Sequence, residues 1–156
     1  MSGASERFTI DTNLLVYSVD ATAGSRHQAA IEIVDRATEC DCCLTLQALS
    51  EFYVVVTRKA MVRPAEAAAQ ALDWLAAFRC AAVSGTAVQT ALSEAVSGRA
   101  SYWDALLVAT AREAGCALML TEDLADGTNF GGVQIHNPFS PTGGLTPLAR
   151  RLLGME

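Results

Sequence analysis

Residues 101–127 read SYWDALLVATAREAGCALMLTEDLADG. Ser101 suits the position before a helix, Tyr102–Ala114 is a strongly apolar helical stretch, and Gly115 closes it. Ala117–Leu120 follows as a short apolar strand, and the chain then runs into a loop holding Glu122, Asp123 and Asp126. Trp103, Leu106 and Leu107 predict a helix that is mostly buried. Helix, glycine, strand and acidic loop form one unit of a βαβ chain, and the same alternation recurs outward in both directions.

Upstream, Phe8–Ile10 reads as a first strand running into Asp11, with a short helical stretch at Asn13–Tyr17. From Ser25 to about Glu39, Ala29, Ala30, Ile33, Val34 and Ala37 fall at helical spacing, with Glu32, Asp35 and Arg36 on the other side. Cys42–Leu46 is the second strand, and a helix marked by Leu49, Phe52, Tyr53 and Val56 runs to about Lys59. Pro64 suits the first turn of a helix reaching Phe78. Ala81–Ser84 is read as the third strand, and Thr86 to about Ser97 as a helix ending at Gly98. Downstream, Val133–His136 is the fifth strand. These readings predict an α/β protein, a three-layer α/β/α sandwich around a mostly parallel sheet of about five strands. Residues 1–139 are expected as a single domain and 140–156 as a C-terminal tail with one or two helical turns. GTNFGG at 127–132 is a lone glycine-rich loop.

Composition narrows the class. The chain has 156 residues, enough for one domain at roughly 100–200 residues each. Apolar residues make up 51% and the mean hydropathy is +0.26, so a core can form. The net charge of −6 and pI near 4.8 exclude a protein that holds nucleic acid by bulk positive charge. Arginine outnumbers lysine ten to one, Lys59 being the lysine, and Arg26, Arg58, Arg63 and Arg99 are open as contacts for phosphate oxygens. Met1–Arg7 lacks the apolar run of a signal peptide and no uncharged run is fit to span a membrane, so a cytoplasmic protein is expected. The five cysteines have no disulfide spacing. The CDCC cluster at 40–43 lacks a second ligand pair, so buried reduced thiols are preferred to a zinc site.

Open parallel sheets bind ligands at the carboxyl ends of their strands. Asp11 follows the first strand, Glu51 lies two turns into the helix after the second, Asp104 is in the first turn of its helix, and Asp123 follows the fourth strand. Each also has a plain structural reading. Asp11 suits an N-cap, Glu51 a solvated helix face, Asp104 a first-turn acid favoured by the helix dipole, and Asp123 an Asx turn. One oxygen-ligand site for Mg²⁺ or Mn²⁺ accounts for all four at once, because gathered carboxylates repel unless cations or protons join them. Such a cage suits phosphoryl-oxygen chemistry. Glu122 and Asp126 are secondary candidates, with Asp126-Gly127 also reading as a turn pair. Thr12, Asn13 and Thr121 are placed to orient the carboxylates or simply to serve as caps.

Other chemistries find less support. There is no Walker A loop, no GxGxxG after the first strand and no GxSxG. His27 and His136 read as structural, and Trp74 and Phe78 as core or interface.

FTIDTNLLVYSVD at 8–20, ALSEFY around Glu51, SYWDALLVATAREAGC at 101–116 and LTEDLADG at 120–127 together resemble a PIN-domain ribonuclease. More narrowly they resemble a VapC-type toxin of a type II toxin–antitoxin system. IHNPF at 135–139 is similar to the usual ending of the family, while the tail after Pro141 has no counterpart in the pattern. The resemblance places the family's acidic quartet on Asp11, Glu51, Asp104 and Asp123. It implies metal binding by Asp11, Asp104 and Asp123, cleavage of RNA with Mg²⁺ or Mn²⁺, homodimerisation, and inhibition by a cognate antitoxin. Two alternatives stay open: a Mg²⁺-dependent phosphohydrolase on a small phosphate ester, and a PIN-like module that only docks proteins. The haloacid-dehalogenase pattern, which has a second Asp where Asn13 stands, counts against the first.

Overall fold

Strand β1, Phe8–Ile10, is fully buried along its length. Successive strand residues point to opposite faces, so burial of Phe8, Thr9 and Ile10 alike means that both faces of the sheet are covered. The same holds for β2, Cys43–Thr45, and β4, Leu118–Leu120. The computed structural model describes residues 6–155. Met1–Ser5 and Glu156 lie outside the described residues, and with them most of the Met1–Arg7 stretch read for a signal peptide.

Helices connect the strands. Helix α1 (Thr12–Tyr17) leads through a 3₁₀ turn at Ala21–Ala23 to α2 (Ser25–Ala37), which buries the five apolar positions expected of it. The Thr45 hydroxyl accepts from Ala48 N at 3.0 Å and so starts α3 (Leu46–Arg58) directly from β2. Helix α4 (Pro64–Ala77) has its proline at the first turn, and β3 follows at Arg79–Ala81. Helices α5 (Gly85–Val96) and α6 (Tyr102–Glu113) pack together. Strands β5 (Asn129–Phe130) and β6 (Val133–His136) then precede α7 (Pro147–Leu152).

Strand order in the main sheet is β1-β4-β6-β5, parallel except for the β5–β6 pair. On the other side of β1, Phe8 N donates to Asp41 O at 3.1 Å and Phe8 bridges Cys42, which brings up the parallel β2–β3 pair. The result is the expected three-layer α/β/α architecture around a mostly parallel sheet.

Three local expectations need correction. The third strand forms at Arg79–Ala81 rather than Ala81–Ser84, because the Ser84 hydroxyl accepts from Ala87 N and is committed to capping α5. The GTNFGG loop contains β5 and a turn in which Gly131 and Gly132 adopt positive φ, where the Arg112 guanidinium donates to Gly131 O at 2.7 Å. Trp103 is 60% exposed, although α6 was expected to be mostly buried. It stands at the mouth of a cavity, while Ala105–Val108 make the inward contacts.

One core unites Phe8, Ile10, Leu14, Ile33, Phe52 and Met119, each contributing about 1.5–3 kcal/mol by leaving water. Trp74 joins it with its ring edge-on to Phe52, centroids 4.8 Å apart. Cys42, Cys43 and Cys116 are buried free thiols, and burial pushes Cys116 up to about 12, so it stays protonated. The described part of the C-terminal segment also packs on this core. Leu153 is 2% exposed, Thr146 N donates to Pro138 O at 2.9 Å, and Arg36 reaches Gly154 O at 3.1 Å.

Candidate active site

The chain leaves β1 toward β2 and β3 on one side and returns as β4 and β6 on the other. That reversal opens a crevice at the carboxyl ends of β1 and β4. Ile10 and Leu120 are paired in register, and Asp11 N donates to Leu120 O at 3.0 Å, so both strand ends lie level. Asp11 is only 7% exposed. Its carboxylate accepts from Thr12 N at 2.7 Å, capping α1, and from the Thr121 hydroxyl at 2.7 Å. Capping and facing the crevice are therefore one arrangement and not rivals. The same is true of Asp104, whose backbone N–H donates to Ser101 Oγ at 3.2 Å while its carboxylate lines the crevice.

Asp11, Glu51, Asp104 and Asp123 surround one cavity of about 140 Å³, and among the described residues no Lys, Arg or His lines it. Small polar side chains hold three of the four. Thr12 Oγ1 donates to Glu51 Oε1 at 3.0 Å, Asn13 Nδ2 donates to Asp123 Oδ2 at 2.7 Å, and Thr121 steadies Asp11. Burial pushes the Asp11 carboxyl up to about 7. The Thr121 bond opposes the rise and the adjacent Asp123 adds to it.

The donor set is carboxylate, hydroxyl and amide oxygen, without thiol or imidazole, which fits a hard divalent cation such as Mg²⁺ or Mn²⁺. A buried carboxylate beside a second one, with no cation side chain in the cavity wall among the described residues, is an arrangement that a bound cation would complete. The carboxylates ring the cavity rather than converge, however. Among the described residues no three His, Cys, Asp or Glu side chains are gathered closely enough to hold an ion as they stand.

Of the secondary candidates, Thr12, Asn13 and Thr121 are brought to the site, and two acids are not. Glu122 turns away to Arg26, which donates from Nε and Nη2 at 3.0–3.2 Å, and accepts a hydrogen bond from Tyr17. Burial opposes ionisation there, but Arg26 and Tyr17 prevail and hold its carboxyl below its usual range. Asp126 accepts from Asn137 N at 2.8 Å and stands 3.3 Å from His136 Nδ1, fastening the end of β6. Of the four arginines, Arg26 is thus occupied by Glu122, and Arg99 is occupied by Glu94 at 2.8 Å.

Gln47 was missed in the sequence. Its amide donates to Trp103 O at 3.0 Å and lies 3.4 Å from Glu51 Oε1, tying α3 to the start of α6. The signal was available, since Gln47 lies four residues before Glu51 and so on the same helix face.

Fold and site together define an α/β protein with a carboxylate-lined cavity at the switch point of a parallel sheet. The model of the PIN domain family matches residues 8–125, and the chain belongs to that family. The solved structures that share the fold include three with the following likenesses. VapC20 of Mycobacterium tuberculosis, described as a sarcin-ricin loop cleaving toxin, aligns at a TM-score of 0.60 and 21% identity over 74% of this chain and 91% of its own. VapBC2 from Rickettsia felis, bound to a DNA fragment from its promoter, aligns at 0.60 and 12%, covering 84% and 98% of the two chains. A toxin–antitoxin complex from Klebsiella pneumoniae aligns at 0.57 and 18%, covering 84% and 97%. Comparison with curated proteins yields no match. Among the described residues no helix is long and apolar enough to cross a membrane.

Proposed function

We propose that this chain is a divalent-metal-dependent endoribonuclease that hydrolyses RNA phosphodiester bonds and acts as the toxin of a toxin–antitoxin pair. The observation that carries the reading is the cavity walled by Asp11, Glu51, Asp104 and Asp123 with no basic side chain. Membership of the PIN family supports it, as does a fold shared with a toxin described as cleaving the sarcin-ricin loop and with a toxin–antitoxin complex.

In this reading Asp11, Asp104 and Asp123 would hold Mg²⁺ or Mn²⁺, which when bound would supply an acidified water and positive charge for the developing phosphoryl oxygens. Glu51, steadied by Thr12 and Gln47, orients the attacking water and takes its proton. The water oxygen bonds to phosphorus as the opposite P–O bond breaks in line, and the leaving oxygen takes a proton from solvent. Thr121 and Asn13 keep Asp11 and Asp123 in place. The partners are RNA, an antitoxin whose segment blocks the cavity, and a second copy of the chain, all in the cytoplasm.

Purified protein incubated with total cellular RNA tests the reading. Fragments are expected with Mg²⁺ or Mn²⁺, none in EDTA, and none from Asp11→Asn or Asp104→Asn. Cleavage that persists in EDTA or in both variants defeats the proposed site. Intact RNA under every metal defeats the nuclease and leaves the docking module.

A further inference from the structure

The carboxylate cavity opens into a larger one of about 680 Å³, and Gln47, Glu51, Val55 and Trp103 line both. Leu46, Val54, Val83 and Leu106 give the larger space apolar walls, and Arg58 stands among its lining residues. Among the described residues the ion pairs leave Arg58 without an acidic partner, unlike Arg26 and Arg99. Trp103 precedes Asp104 in the chain, is 60% exposed, and is braced edge-on by Tyr102 with ring centroids 5.1 Å apart.

We propose that Trp103 and this apolar cavity form a nucleobase subsite, in which the indole stacks the unpaired base next to the phosphodiester being cut. The inference rests on the ribonuclease reading and adds to it the part of the substrate that is gripped. Continuity decides the occupant. A phosphodiester held in the carboxylate cavity carries a nucleotide on either side, and the apolar cavity is the space that adjoins it. A base offers flat apolar faces to an indole and aliphatic walls, and such stacking tolerates any base. Arg58 supplies a forked donor for the adjoining phosphate. A base inside a duplex has both faces covered, so the subsite selects single-stranded RNA or a splayed loop.

The full chain carries two tryptophans, Trp74 at 6% and Trp103 at 60% exposure, so quenching by a bound base reports on Trp103. The probe is a mixed-sequence single-stranded oligoribonucleotide titrated with Mg²⁺ into the Asp104→Asn protein. Tryptophan emission is expected to fall to saturation there, and not when Trp103→Phe is added. In cleavage assays Trp103→Ala is expected to raise KM about 5- to 150-fold, the range for loss of one base–aromatic stack. Its kcat stays within about threefold of wild type, and Trp103→Phe recovers most of the loss. Thermal melting verifies that the variants are folded. Metal-dependent cleavage with an unchanged KM in Trp103→Ala and no quenching overturns the subsite while the nuclease stands, and makes Trp103 a protein-contact residue. A loss confined to kcat also overturns it, since Trp103 would then act through Asp104. Quenching without any cleavage by the wild type defeats the nuclease and, with it, the subsite as part of a cleavage site, leaving Trp103 as a base-binding residue alone.

Discussion

Asp11 is a side chain whose burial and charge conflict. It is buried, it lies beside Asp123, and its carboxyl is pushed up to about 7. An unfolded Asp titrates near 4. Between these values the folded chain binds the extra proton, so this group's contribution to stability falls as pH rises from about 4 through about 7. Asp11→Asn removes the charge and keeps both a cap acceptor for Thr12 N and a partner for the Thr121 hydroxyl. In EDTA the variant is therefore expected to be more stable than wild type at pH 8, by up to about 4 kcal/mol, with the gap closing toward pH 4. Urea unfolding at the two pH values measures it, and no gain at pH 8 would falsify the account of a strained carboxylate. The same variant is expected to lose metal-dependent cleavage, which would make the residue that costs stability the one the proposed reaction needs.

At the level of elements, caps aim the acids. The Ser101 hydroxyl receives the N–H of Asp104 itself, while Thr146 caps α7 through Ala149 N, away from the cavity. Ser101→Ala is expected to cost about 1 kcal/mol, lowering the melting temperature by about 2–4 °C, and also to slow cleavage. Thr146→Ala is expected to cost a similar amount with cleavage unchanged. Melting and initial rates on both proteins make the comparison, and equal rates would detach the cap from the site. Helix α3 works in the same way at its start: Thr45 launches it from β2, and Gln47 and Glu51, one turn apart, face the crevice together.

On the scale of the whole molecule, the C-terminal segment and the charge balance set two further expectations. Leu153 is buried in the main core although α7 is the last helix. Leu153→Ala is expected to cost about 2–5 kcal/mol in urea unfolding, as for other core leucines, and a change typical of a surface site, below about 0.5 kcal/mol, would show the segment to be loosely held. The net charge is −6, and Arg26 and Arg99 are tied to carboxylates. If the chain acts on RNA as proposed, few phosphate contacts hold the substrate. With one or two of them, log kcat/KM against log salt is expected to be shallower than about −2. A slope near −4 would demand a basic face that this reading lacks.

Alternation of short apolar runs with amphipathic stretches was enough to predict the α/β sandwich and most helix limits, because hydrophobic period and caps are local properties. Asp11 and Asp123 were legible as neighbours for a related reason: a parallel sheet sends its strands' carboxyl ends to one edge, so residues just after strands meet there, whereas Glu51 and Asp104 reach the same cavity from helices α3 and α6. Which acids point inward was decided only by tertiary contacts. Glu122 and Asp123 are neighbours in the chain, yet Arg26 and Tyr17 draw one outward and Asn13 draws the other to the cavity. Trp103 looked like core by composition and stands at a rim, and within the described part of segment 140–156, read as a tail, Leu153 is buried. Local sequence determines what each segment prefers to be. What its side chains touch depends on partners far off in the chain, 110 residues away for Asn13 and Asp123 and 118 for Arg36 and Gly154, and only the folded chain brings them together.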